Sequence, residues 1–299
     1  METDNFVQIN EDTAYDFINL KDRVIFTNKL SNKTYALNKE SKVVSKLPYT
    51  LHIKGFKNND RYLCYSEIDG QEYFLIISLT TLEILSKYGV DPDMGLTHTF
   101  IERGTISSKR KNGTISLTEF PNKEIWKLKI VDYVNAQTPM PTIDNVYFHD
   151  NKIYTLCGHN IICTSLNGTL VWNCKLEFRP TFLEMDKNIG YIVSSNNLVI
   201  LNLNNGTIFY SRKMNQINWL GHEYSFHGFR PQLHDQKLWC PLQTNGLNFV
   251  ACLNPENGVL EWLQNIETPH FIQPPKFDDN KMFILDNGGN LFIYDKTTG

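Results

Sequence analysis

A unit of about 40 residues recurs along this chain, and a repeat of that length constrains the fold more than any local propensity does. The stretch Arg23–Leu37 aligns without gaps on Arg103–Leu117, an offset of 80 residues. Identities fall at Arg23/Arg103, Lys29/Lys109, Asn32/Asn112, Thr34/Thr114 and Leu37/Leu117. A short polar turn, a basic residue and a β-rich run recur at His149–Lys152, His234–Lys237, Asp278–Lys281 and Asn58–Arg61, and more loosely at Lys187–Ile189. With Arg23, Arg61, Arg103, Lys152, Ile189, Lys237 and Lys281 as markers, successive spacings are 38, 42, 49, 37, 48 and 44 residues. That period suits four short strands per unit.

The turns are explicit. Asn-Gly stands at 112–113, 167–168, 205–206, 245–246, 257–258 and 287–288, and Asn-Gly between β-rich runs signals a hairpin because both central residues need positive φ. Asn112, Asn167 and Asn205 are followed by Gly-Thr and form glycosylation sequons, read here as turn chemistry. Helical periodicity is nowhere sustained. The last unit stops at Asp295–Gly299, where others begin a fourth strand, as in Gly168–Trp172, Gly206–Tyr210 and Gly258–Trp262. The first unit is preceded by a surplus β-like segment, Asn5–Ile9, that can complete the last sheet and leave no open edge between the chain ends. Lys281 to Arg23 around the ends is then 41 residues, one more repeat. The expectation is an all-β, seven-bladed β-propeller of four-stranded antiparallel blades, closed by the N-terminal strand, as a single domain over 1–299.

The turn-plus-aromatic phrases Leu253–Trp262, Leu201–Tyr210, Ser165–Trp172 and Tyr294–Gly299 resemble the repeat of the quinoprotein-like (PQQ-like) propeller family, roughly Asp-x-x-Thr-Gly-x-x-x-Trp. The resemblance is best over 141–299, while spacing alone supports it over 1–130. It implies a propeller fold, which in that family serves dehydrogenases, outer-membrane assembly scaffolds and many binding proteins. Quinone-dependent members are typically exported and eight-bladed, and many carry a vicinal cysteine pair. With seven units and no adjacent cysteines here, no quinone or other cofactor is expected.

Composition narrows the partners. Net charge is −3 and pI about 6.2, so there is no global basic field to hold a phosphate backbone, and nucleic acid is not expected. The longest apolar run, Tyr73–Ile77, is far short of a membrane span. With Met1 as the start, the acidic Met1–Asn5 shows no secretory signal, and the expected location is the cytoplasm. The protein alone is expected to be monomeric. The six cysteines (64, 157, 163, 174, 240, 252) form no C-x-x-C pair, so free, mostly buried thiols are expected rather than a metal or redox motif. Cys64 and Cys240 each follow their unit's basic marker by three residues, a packing column.

Loops joining the fourth strand of one unit to the first of the next gather on one face of a propeller. Here they carry Tyr88, Tyr133, Arg179 and His270, and the longest, 213–231, adds Trp219, His222, Tyr224, Phe226, His227 and Arg230. Aromatic and arginine enrichment with little Lys or Glu suits a binding surface, and a loop this long is commonly functional. Equally, its aromatics could fold back and plug a central channel. Spacings of five and seven among His222, His227 and His234 match no metal signature, so no metal is expected. Asp91 and Asp93 flank Pro92 and read as turn formers rather than paired acid–base carboxylates. No phosphate loop, serine elbow or H-E-x-x-H helix is present, and no catalytic residue is assigned. The functional expectation is a non-enzymatic scaffold binding a protein partner through its loop face, as an inhibitor or immunity-type protein. The alternative is an enzyme or small-ligand binder, for a sugar or cofactor, at the channel mouth.

Overall fold

The computed structural model describes residues 6–8, 14–28, 31–90, 97–101, 104–109, 113–119, 123–134, 142–194, 197–213, 217–219, 222–224, 227–228, 231–278 and 280–295. Among them, strands dominate, with one short 3-10 turn at Ile130–Tyr133.

Five four-stranded antiparallel blades follow one another in the chain. Blade A is Ala14–Asn19, Arg23–Asn28, Lys33–Asn38 and Val44–Lys46. Blade B is Thr50–Asn58, Arg61–Ile68, Gln71–Ser78 and Ile84–Gly89. Blade C is Thr97–Ile101, Gly104–Lys109, Thr114–Glu119 and Lys123–Lys129. Blade D is Ile143–His149, Lys152–Cys157, Asn160–Ser165 and Leu170–Lys175. Blade E is Glu184–Asp186, Ile189–Ser194, Asn197–Asn202 and Ile208–Lys213. A sixth, blade F, takes Lys276–Phe277, Lys281–Leu285 and Asn290–Asp295, and its outer strand is Phe6–Gln8 from the other end of the chain. The register there pairs Phe6 with Phe292, Val7 with Leu291 and Gln8 with Asn290.

Among the described residues there are therefore six four-stranded blades, not seven. Where a seventh identical blade was expected, between blades E and F, the chain forms a five-stranded sheet and a separate two-stranded hairpin. In that sheet Lys237–Thr244 is paired on one side by two short strands, His227–Gly228 against Gln243 and Leu242, and Gln232–His234 against Trp239 to Lys237. Pro231 stands just ahead of the second piece, and the two pieces pair with opposite ends of the same strand. Between Lys213 at the end of blade E and the first piece of this sheet at His227, the chain makes the hairpin Ile217–Trp219/His222–Tyr224.

In blade D the second and third strands, Lys152–Cys157 and Asn160–Ser165, are buried almost end to end. A continuous apolar run rather than alternation is what a strand covered on both faces needs. The covering comes from the next sheet. Ile106, Ile115 and Leu117 of blade C pack with Ile143, Val146, Ile153, Cys157 and Ile162 of blade D. Phe17, Val24, Phe26 and Leu37 of blade A pack with Phe283, Leu285, Leu291 and Ile293 of blade F. The fourth strands are sheet edges and alternate exposed with half-buried.

The Gly-x-x-x-aromatic phrase has a structural cause that reaches between units. Trp126 on the fourth strand of blade C donates its Nε1–H to the Leu166 carbonyl at 2.7 Å, in the turn before Gly168 of blade D. Trp172 on blade D donates to the Leu203 carbonyl at 3.0 Å, in the turn before Gly206 of blade E. The glycines sit against those rings: a Cβ on Gly168 would lie 3.4 Å from Trp126, and one on Gly206 2.7 Å from Trp172. Gly258 repeats the arrangement against Tyr210, at 3.1 Å. All three adopt positive φ, +86°, +75° and +64°, where a side chain is strained.

The chain packs as two compact units, one of Met1–Ile53, Val193–Ile200 and Tyr210–Gly299, the other of Lys54–Ile192 and Leu201–Phe209.

Candidate functional site

The segment 213–231 was expected to be a loop, and apart from Pro231 its described backbone is strand. Trp219 is the cross-strand partner of His222, and Ile217 of Tyr224, in a hairpin that joins no other sheet among the described residues. His227 lies instead on the five-stranded sheet, opposite Gln243. Trp219, His222 and Tyr224 are thus brought onto one hairpin and His227 is not. Phe226 and Arg230 lie outside the described residues, as do Asp91 and Asp93.

In the same unit His270 is exposed, and a Cβ on Gly288 would collide with its ring, so it rests on the bare backbone of the 287–288 turn. Its backbone carbonyl accepts the Asn248 side-chain amide at 3.0 Å, and the Thr268 carbonyl accepts the same amide at 2.9 Å.

In the other unit, Tyr88 packs against Leu63 and Phe74 of blade B, and Tyr133 against the cluster between blades C and D. Both rings are half-buried supports, with part of each surface still open. Arg179 is held more firmly than its sequence context suggests. Its Nε donates to Asp144 Oδ2 at 2.8 Å, and the same guanidinium reaches Asp144 Oδ1 and, at 2.6 Å, the Thr142 hydroxyl. The hydrogen bond it donates to Asp144 raises the guanidinium pKa further, so the charge is permanent. Its fork is engaged internally by Asp144 and Thr142. Asp144 and Thr142 lie 35 and 37 residues upstream, and nothing in local sequence signals the pairing. Recurrence at one repeat's distance is the only clue.

His149 and His234, which open the polar turns before Lys152 and Lys237, bridge to the next sheet. The His149 ring bonds the Lys187 carbonyl at 2.7 Å, and His234 stacks on Phe277 with ring centres 4.2 Å apart.

The titratable groups that depart from ordinary values do so away from neutrality. Burial pushes the Cys64 thiol up strongly, and those of Cys157, Cys163 and Cys252 up to about 11. The Arg23 hydrogen bond holds the Asp22 carboxyl below the usual carboxylate range. Thr80 and Ser78 do the same for Asp60, and Lys237 and Asn254 for Glu261. A general base or nucleophile wants a pKa near the working pH, and these shifts run the other way. Cys64 and Cys240 are both fully buried, as their shared repeat position implied.

No family model matches the chain, and no curated protein matches it. Solved structures do. The WD40 β-propeller domain of Doa1 matches at 11% identity with a TM-score of 0.67, covering 97% of this chain and 95% of that one. The computationally designed Ika8 protein matches at 10% identity and 0.60, covering 96% and 97%. BamB from Moraxella catarrhalis matches at 12% identity and 0.54, covering 93% and 80%. The fold is that of a β-propeller. At these identities the likeness is one of fold alone. Among the described residues no helix is long and apolar enough to cross a membrane.

Proposed function

We propose that this chain is a non-enzymatic β-propeller scaffold, one domain over 1–299, that binds a protein partner in the cytoplasm as an inhibitor or immunity-type protein. The partner-binding residues in this reading are Trp219, His222, Tyr224, Phe226, His227 and Arg230, together with Arg179, Tyr133, Tyr88 and His270. The observation that carries it is the hairpin Ile217–Trp219/His222–Tyr224, which adds nothing to any blade ladder among the described residues. An isolated two-stranded hairpin is marginal in water and gains stability by packing on something else. Tryptophan, tyrosine and histidine on such an element are what an interface anchor uses. The quinoprotein-like phrases on blades D and E and on the five-stranded sheet support a scaffold reading, since their glycines and aromatics are spent on docking one unit to the next.

The test replaces residues 214–226 by a Gly-Ser linker of equal length and compares wild type and variant as baits in the source cell. A stoichiometric protein captured by wild type and lost by a variant with unchanged far-UV CD supports the reading. Retention of the same partner at full occupancy refutes the choice of surface. Absence of any partner for wild type refutes the scaffold role.

A further inference from the structure

Blades A and F enclose a cleft of about 540 Å³ lined by Lys21, Lys39, Lys42, Asp278, Asn280, Lys281, Phe283 and Ile293. Its lysines come from three separate turns: Lys21 before the second strand of blade A, Lys39 and Lys42 after its third, and Lys281 at the start of the second strand of blade F. The floor is the buried ring of Phe283 and the side chain of Ile293.

Four ammonium groups face one lining carboxylate, and that carboxylate is already used. Asp278 Oδ1 accepts the backbone N–H groups of Asn280 and Lys281 at 3.1 and 2.8 Å. Its Oδ2 accepts Lys39 Nζ at 3.2 Å. These contacts hold the Asp278 carboxyl below its ordinary range although burial pushes the other way. Lys39 also lies over the Phe283 ring, 4.4 Å from its centre, and an ammonium has three protons to donate. Lys21, Lys42 and Lys281 make no ion pair among the described residues. The lining thus carries an uncompensated charge of about +3, counting side-chain charges at neutral pH, in a protein whose net charge is −3. Charge concentrated against the overall sign marks a built local field.

We infer that this cleft binds a compact, multiply charged phosphoryl ligand. The four ammonium groups line one cleft and so suit charge held within a compact ligand, whereas an acidic peptide spreads its carboxylates along an extended chain. Lysine serves phosphate as a point charge. The volume falls within the range of small-molecule sites, about 300–1,000 Å³.

Inorganic tripolyphosphate is the probe, titrated calorimetrically into the full chain at 50 and 150 mM salt. Saturable 1:1 binding that weakens with salt is expected. The triple variant K21Q/K42Q/K281Q should bind at least tenfold more weakly. A triple with the same charge change elsewhere, K123Q/K127Q/K175Q, should stay within threefold of wild type. Asp278→Asn keeps the turn's acceptor and removes the opposing charge, so it should bind at least threefold more tightly, a gain that misfolding cannot imitate. No saturable binding by wild type overturns the inference. So does equal loss in the two triples, or D278N binding no more tightly than wild type. Tighter binding of hexaglutamate than of tripolyphosphate overturns the ligand class.

Discussion

Replacing Gly206 by alanine and Gly246 by alanine asks the same thing of the backbone and different things of the neighbours. The two glycines have φ of +75° and +77°, so each alanine meets the same left-handed strain, about 1–2 kcal/mol. At Gly246 the new methyl meets nothing within 4 Å. At Gly206 it would lie 2.7, 3.0 and 3.2 Å from three ring carbons of Trp172. The ring cannot retreat freely, being 8% exposed and tied by its Nε1–H to the Leu203 carbonyl. Overpacking of this kind costs about 1–3 kcal/mol. Expected destabilisations are therefore about 1–2 kcal/mol for G246A and about 2–5 kcal/mol for G206A. Equilibrium urea unfolding followed by tryptophan fluorescence and far-UV CD measures both, and coincidence of the two signals licenses the comparison. In a Trp172→Leu background the excess at position 206 should vanish, because the partner ring is gone. Equal costs for the two glycines, to within about 0.5 kcal/mol, would refute the idea that the repeat's glycine exists to receive the preceding unit's aromatic.

Three other outcomes are expected. Trp126→Phe keeps the ring's packing and removes the donor to the Leu166 carbonyl at 2.7 Å, which should cost about 1 kcal/mol in urea unfolding; no loss would mean that water replaces the bond. In native protein at pH 8 Cys174, the one half-buried cysteine, should react first with a disulfide reagent. Cys157, Cys163 and Cys252, with pKa values pushed to about 11 by burial, should react only on unfolding; fast labelling of several thiols in a Cys174→Ser variant would contradict this. Asp22, Asp60 and Glu261 have folded-state pKa values below ordinary ones. Their contribution is therefore present above about pH 4 and lost as pH falls through the lower folded values. The melting temperature should drop between about pH 4 and pH 2, and D60N should flatten that drop, whereas an unchanged slope in D60N would remove Asp60 from the account.

The sequence made the repeating ladder legible because its signals are local. Asp150, Asn151, Asp235, Gln236 and Asn245 adopt positive φ within their turns. The expectation that both residues of an Asn-Gly pair do so holds at 245–246, whereas at 167–168, 205–206 and 257–258 the glycine alone has it, and at 287–288 it falls on Gly289 instead. The surplus segment at residues 5–9 was legible for another reason: a last unit lacking its fourth strand needs one from somewhere, and Phe6–Gln8 supplies it. The number of four-stranded blades was not legible. Short runs such as Ile217–Trp219, His222–Tyr224 and His227–Gly228 carry strand character without saying which strand they join, and marker spacing treats a 48-residue unit like a 37-residue one. The candidate surface was legible as composition only. The contacts that decide what Arg179 can offer lie 35 and 37 residues away, at Asp144 and Thr142.

The lysine cleft went unread for a related reason, and it shows where repeat reasoning has to be applied twice. Taken singly, Lys281 is the basic marker of its unit, Lys39 and Lys42 are hairpin residues, and Lys21 is an exposed turn. Each has an adequate local explanation. Their meeting follows only when the last unit is set beside the first, which brings residue 281 to residue 39 through the Lys39–Asp278 contact across 239 residues of chain. The same adjacency that lets Phe6–Gln8 complete blade F therefore predicts which turns become neighbours. In a repeat protein the first and last units need the same pairwise comparison as consecutive ones, because charges that look dispersed along the chain converge there.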